Sequence, residues 1–198
     1  MCQIVVNHGF AQHKEAKNQV KKAVQSNRDG SGLLYLHNRT AEFFEPNHVP
    51  EVADAPFIFH ARIATSGKNS RMLHPFKIGK CWLFHNGVMS GRFKGNDIFS
   101  DTAHLAEFLN QKGKHTLTTI KTFLEDMPEL SGNRFALYQP NFDIAIIGEG
   151  WEYLDSGLIC CGTGVCSHPD YSGWTHKKKS IHSGVTDRFE SVGGAKEW

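Results

Sequence analysis

Apolar and polar residues change their period several times along this chain, and each change marks an element. Ile4-Val5-Val6, directly behind Met1-Cys2-Gln3, is an apolar β-branched run that predicts a short buried strand over 3–6, closed by Asn7-His8-Gly9. From Ala11 to Gln25 the period is helical, with Ala16, Val20, Ala23 and Val24 on one face and lysines opposite. The cluster Asn27-Arg28-Asp29-Gly30-Ser31-Gly32 ends that helix in a turn. Leu33 to His37 and Ala41 to Phe44 then read as a hairpin through Asn38-Arg39-Thr40. After a loop holding Pro46, Pro50 and Pro56, Phe57 to Arg62 is a nearly continuous apolar strand that turns polar at its end. A polar loop leads to Leu73-His74-Pro75-Phe76, and Lys80 to His85 forms another strand, stopped by the turn signal Asn86-Gly87.

A glycine-rich loop over 90–97 precedes Ser100-Asp101-Thr102, where a helix begins with Leu105, Phe108 and Leu109 on one face and Ser100 or Asp101 placed to cap it. A second helix is expected from about Thr118 to Asp126, before Pro128. Four short strands follow, Asn133–Tyr138, Phe142–Ile147, Trp151–Leu154 and Leu158–Cys161, spaced like an antiparallel meander. Strands, then helices, then strands again predict an α+β domain over 2–165 whose helices cover packed sheets. From Cys166 the chain is rich in Gly, Ser, Lys and His with little periodicity, so 166–198 reads as a C-terminal extension or tail.

Composition narrows the class of protein. Hydrophobic residues at 39% and charged residues at 21% fit a soluble globular domain. A formal charge of +2 argues against broad attraction to nucleic acid or membrane, and the run Lys177-Lys178-Lys179 reads as a solvated face. No signal peptide is expected, because Gln3 and Asn7 interrupt the first apolar run, and no window approaches a membrane span. Five cysteines without regular spacing do not make a secreted disulfide framework, and the cytoplasm is the expected compartment.

Chemistry concentrates where polar residues end strongly apolar strands. Arg62 ends one, Asn86-Gly87 ends another, and Asp101 opens a helix. Each has a plain structural explanation: a surface charge, a hairpin turn and a helix cap. Taken with Cys2 they make a coherent set. A guanidinium and an acid can hold the carboxylate and ammonium of a small amino acid, while an asparagine amide and a glycine N–H can receive a developing oxyanion. Removal of Met1 would leave Cys2 with its thiol and a free α-amine on one residue. That amine titrates near ~7.7–8.0 and a thiol near ~8.5, so the amine can take the thiol proton at neutral pH.

Four segments resemble one family. Phe59-His60-Ala61-Arg62-Ile63-Ala64-Thr65-Ser66-Gly67 resembles the His-x-Arg-x-Ala-Thr-x-Gly motif of class II glutamine amidotransferases, and Leu73-His74-Pro75-Phe76 resembles the short motif that follows it. Trp82-Leu83-Phe84-His85-Asn86-Gly87-Val88 resembles the His-Asn-Gly segment, and Ser100-Asp101-Thr102 with Leu105 resembles the helix start. Each is short, but four in order at normal spacing, behind Cys2, make the resemblance specific from the N-terminus to about residue 110. It implies a four-layer αββα sandwich of two antiparallel sheets between helices, the N-terminal nucleophile (Ntn) hydrolase fold. It implies Cys2 as the nucleophile, with the Asn86 side chain and the Gly87 N–H as oxyanion hole. Arg62 would bind the glutamine α-carboxylate and Asp101 the α-ammonium, with Thr65 and His74 lining the pocket. The implied reaction forms a γ-glutamyl thioester, releases ammonia and hydrolyses the thioester to glutamate, with no cofactor or metal expected. The length of the chain leaves no room for the family's synthetase half, so a separate acceptor synthetase or ligase is expected.

The family usually has glycine after the nucleophile. Here it is Gln3, whose side chain either crowds the pocket or points away. The other readings are a hydrolase of another γ-glutamyl amide, a module that binds glutamine without turnover, and a zinc site from Cys160, Cys161, Cys166 and His168. Adjacent Cys160 and Cys161 on a strand would point to opposite faces, which favours buried strand cysteines over ligands.

Overall fold

The first strand, β1 (Gln3–Asn7), is buried along its whole length and hydrogen-bonded on both sides, to β4 (Phe57–Ala61) and to β10 (Leu158–Cys161). This computed structural model describes residues 1–9, 11–141 and 143–162. Between β1 and β4 lie helix α1 (His13–Ser26) and the hairpin β2 (Ser31–Tyr35) and β3 (Thr40–Phe44). After β4 come β5 (Phe76–Ile78), β6 (Cys81–Asn86), the helices α2 (Asp101–Gln111) and α3 (Leu117–Asp126), then β7 (Arg134–Gln139), β8 (Asp143–Ile147) and β9 (Glu152–Tyr153). The strands form two antiparallel sheets, ordered β3-β2-β4-β1-β10-β9 and β5-β6-β7-β8. Among the described residues the protein is thus a mixed α+β fold with two antiparallel sheets and three α-helices.

Strand alternation assigns each residue to one of three cores. Val5, Leu33, Phe57, Phe59 and Cys160 pack with Ala16, Val20 and Ala23 of α1. Leu83, Phe135, Leu137 and Ile147 pack with Leu105 and Leu109 of α2 and Ile120 and Leu124 of α3. The residues between these on the same strands, Ile4, Val6, Ile58 and Cys161 of the first sheet and Phe84, Ala136 and Tyr138 of the second, form a third core shared by both sheets. A hydrogen bond from the Tyr138 hydroxyl to the Leu36 carbonyl at 2.8 Å also ties the two sheets together.

The helix starts follow ordinary capping chemistry. Ser100, not Asp101, is the N-cap of α2, its hydroxyl accepting from the Ala103 N–H, and Thr116 caps α3 in a capping box with Thr119. Ser100 thereby leaves Asp101 as the first helical residue, with its carboxylate available for other contacts.

Two expectations need correction. The last four strands are not one meander. β7–β8 extends the second sheet, while β9–β10 pairs with β1 in the first. The chain crosses between sheets at Gly148-Glu149-Gly150, both glycines having positive φ (91° and 79°), because the edge left open beside β1 needs a strand apolar on both faces. Asn86-Gly87 also makes no hairpin, since the strand that pairs with β6 beyond it is β7, reached only after α2 and α3. The extension expected over 166–198, with Lys177–Lys179, lies outside the described residues. No helix among the described residues is long and apolar enough to cross a membrane.

Phe84 is fully buried in the core shared by the sheets, whereas Phe43 is 53% exposed. Phe84→Ala should therefore cost about 3–5 kcal/mol of unfolding free energy and Phe43→Ala about 0.5 kcal/mol or less, as measured by urea denaturation.

Candidate active site

The same alternation decides which polar residues meet. Cys2 continues the face of Ile4 and Val6, Arg62 that of Ile58 and His60, and Asn86 that of Trp82 and Phe84, so all three belong to the layer between the sheets. Cys2 abuts Arg62 because Gln3 pairs with Ala61. The Cys2 thiol lies 3.6 Å from the Ile63 carbonyl. Burial pushes that thiol above its ordinary pKa, the N-terminal ammonium and Arg62 pull it back, and Asp101 adds to the rise. Gln3 falls on the other face, with Val5, and its Cγ lies where a Cβ on Gly162 would clash. Of the two alternatives for Gln3, the side chain points away from Cys2.

Arg62 is a buried guanidinium held by carbonyls. Its Nη2 donates to the carbonyls of Ser66 (2.6 Å) and Gly67 (2.7 Å), and Nη1 to that of Asn69 (3.3 Å). Among the described residues no carboxylate stands within ion-pair distance of it. Burial lowers its pKa, opposed by Cys2, Asp29 and Asp101. Of five guanidinium N–H groups, Nε–H and one on Nη1 have no partner among the described residues. An open hollow of about 330 Å³ adjoins Arg62, lined in part by Asp29, Phe44, Glu45 and Lys68.

The Asn86 side chain is fully buried and donates from Nδ2 to Cys161 Sγ at 3.4 Å, leaving a second N–H. Its Oδ1 has no hydrogen-bond partner among the described residues. At the next position only glycine fits, because a Cβ on Gly87 would fall on Asn133 Oδ1.

Asn133 begins a polar chain that ends at Asp101. Its Nδ2 donates to the Leu130 carbonyl, so its Oδ1 accepts from His85 Nε2 at 2.8 Å. His85 Nδ1 meets the Thr102 hydroxyl at 2.8 Å, and that hydroxyl lies 3.2 Å from Asp101 Oδ1. The Asp101 carboxylate accepts two backbone N–H groups, Thr102 at 2.7 Å and Met89 at 2.9 Å. Burial lowers the His85 pKa, with Asp101 pulling the other way.

Of the two residues expected to line the pocket, Thr65 is exposed in the loop after β4. His74 is buried, its ring 4.0 Å from that of His60 and 4.9 Å from that of Phe76. His60 Nε2 in turn donates to the His85 carbonyl at 3.1 Å, while neither ring nitrogen of His74 has a partner among the described residues. The structure thus brings Cys2, Arg62, Asn86 and Asp101 to one place, with His74 reaching them through His60. Sequence reading missed His85, Thr102, Asn133 and Cys161 as parts of this site. For His85 and Thr102 the signal was adjacency to Asn86 and Asp101; Asn133 and Cys161 had none. Cys160 and Cys161 do point to opposite faces of β10, into different cores, and Cys166 and His168 lie outside the described residues. The chain matches no protein-family model and no curated protein.

The buried imidazoles make the fold acid-sensitive. Burial lowers the His60 pKa to about 3 and the His74 pKa well below 6.5, whereas both titrate near ~6.5 when unfolded. The unfolded chain therefore binds more protons at acid pH. Stability is complete above ~6.5 and is lost as pH falls toward the folded values, at up to about 1.4 kcal/mol per pH unit per histidine. Urea midpoints should drop between pH 7 and pH 5. His60→Gln, which can keep a donor to His85, should flatten that slope by about one proton's worth.

Proposed function

We propose that this protein is a glutaminase of the class II amidotransferase kind, which hydrolyses the glutamine side-chain amide through Cys2 and passes the ammonia to a separate acceptor enzyme. The observation that carries the reading is Arg62. A buried cation bonded, among the described residues, to neutral carbonyls alone is costly, and a ligand carboxylate taking its remaining N–H groups would offset that cost. Asp101, with its carboxylate oriented by two backbone N–H groups, supports the matching role for an α-ammonium. Helix α1 on the outer face of the first sheet and α2 and α3 on that of the second support reading the fold as an αββα sandwich of the Ntn type.

With Met1 removed, the Cys2 amine takes the thiol proton and the thiolate adds to the amide carbon. The carbonyl oxygen gains the negative charge and receives the Asn86 side-chain N–H and the Gly87 backbone N–H. Collapse returns the electron pair to the carbonyl, and the nitrogen departs with the proton from the Cys2 α-ammonium, as ammonia. Water then gives a proton to the same amine and adds to the γ-glutamyl thioester, and glutamate leaves as the thiol is restored. The net reaction consumes one glutamine and one water. The burial-raised thiol pKa makes a nearby base necessary.

Ammonia release from glutamine should vanish in Cys2→Ala, and mass spectrometry of active enzyme should show Met1 absent. Asn86→Ala should lower kcat by roughly 10²–10³ with little change in KM, as expected for a donor used in the transition state. Arg62→Gln should instead act mainly on KM. Equal ammonia release from wild type and Cys2→Ala would refute the assignment.

A further inference from the structure

Asn27 stands outside the residues named so far for catalysis, yet its side chain reaches the carbonyl oxygen two bonds from the proposed base. It is the C-cap of α1, its backbone N–H bonded to the Ala23 carbonyl, and it is 3% exposed. Its Nδ2 donates to two carbonyls, Ala61 at 2.9 Å and Met1 at 3.1 Å. Carbonyls only accept, so the two partners fix which end of the amide faces them. Ala61 is the cross-strand partner of Gln3, and this bond seats Asn27 where β1 and β4 begin to separate. The Met1 carbonyl carbon is bonded to the Cys2 nitrogen, so an N–H aimed at the Met1 oxygen is also aimed close to that nitrogen.

Removal of Met1 is a hydrolysis. Water places OH on the Met1 carbonyl carbon and H on the Cys2 nitrogen, and one Asn27 N–H loses its acceptor in a partly buried setting. The lone pair of the new amine is the adjacent acceptor. We propose that Asn27 is the positioning residue of the processed site, its freed side-chain N–H donating to the Cys2 α-amine while its other N–H stays on Ala61. This rests on the glutaminase reading above. A donor aimed at the lone pair favours the neutral amine, the form that can take the thiol proton, and the amine exchanges the Asn27 bond for the new N–H as it does so.

The titratable and charged groups around the Cys2 thiol, on the same residue as this nitrogen, are Arg62 at the end of β4, Asp101 at the start of α2, Cys161 on β10 and, beyond Arg62, Asp29 in the turn after α1. All are unchanged in Asn27→Ser, which is too short to reach the amine, and in Asn27→Asp, which places a carboxylate there. The test uses Met-processed protein labelled with nitrogen-enriched cysteine, with the α-amine titrated by nitrogen NMR and folding checked by circular dichroism. Wild type should titrate below the ordinary ~7.7–8.0, Asn27→Ser within that range, and Asn27→Asp above it. The acid limb of kcat/KM for glutamine should move in the same order, with KM changed by about twofold at most. An amine that titrates alike in all three overturns the role of Asn27. A glutamine-mimicking diazoketone separates the two readings. Trapping at Cys2 with an unmoved amine overturns the Asn27 role alone. Ordered amine shifts without trapping or ammonia release overturn the glutaminase reading and leave the Asn27 contact standing.

Discussion

Everything at the candidate site depends on β1 being held from both sides. Chain ends usually fray because little ties them down. Here the third to seventh residues enter a six-stranded sheet between β4 and β10, in register Gln3 with Ala61 and Ile4 with Cys161. That register sets Cys2 beside Arg62 and puts the Cys2–Ile4–Val6 face toward the second sheet. A slip of one residue would exchange Cys2 for Gln3 and bury the thiol against α1. The apolar side chains of Ile4 and Val6, fully buried between the sheets, are what forbid the slip.

The second constraint is electrostatic. Arg62, His60, His74 and His85 lie in or beside one buried layer, and only Arg62 is charged at neutral pH by the shifts described. Neutral imidazoles let the layer hold many polar groups without accumulating positive charge next to a guanidinium. The Asn133–His85–Thr102 chain also links two places far apart in sequence, the backbone at Gly87 and the carboxylate of Asp101.

Much of the fold was legible because its strands are strongly apolar and its turns carry Asn, Asp and Gly. β1, the β2–β3 hairpin, β4, β6 and the helices appear within a few residues of where the hydrophobic period puts them. The sheet membership of β9 and β10 was not legible, since spacing cannot say which open edge a short strand will fill. Arg62 and Asn86 stood out because they ended apolar runs, and Asp101 because it opened a helix. Asn133, Cys161 and Asn27 did not, because their contacts span 48, 75 and 26 residues of chain and leave no local pattern. Gln3 looked out of place by comparison with a family pattern. Alternation along β1 resolves it, because the face that Gln3 occupies belongs to a different core.

The double pairing of β1 has a consequence for how selectivity can arise. Cys2 directly precedes a central strand paired on both sides and has no hinge, so its thiol cannot advance toward one ligand and retreat from another. Adaptation must then fall to the other side of the site, the irregular segment between β4 and β5 whose carbonyls at Ser66, Gly67 and Asn69 hold the Arg62 guanidinium. Residues there can vary how the Arg62 guanidinium is presented while the thiol keeps its coordinates. The sheet supplies a fixed anvil, and the loop beside it is the part that natural variation or deliberate redesign would reshape.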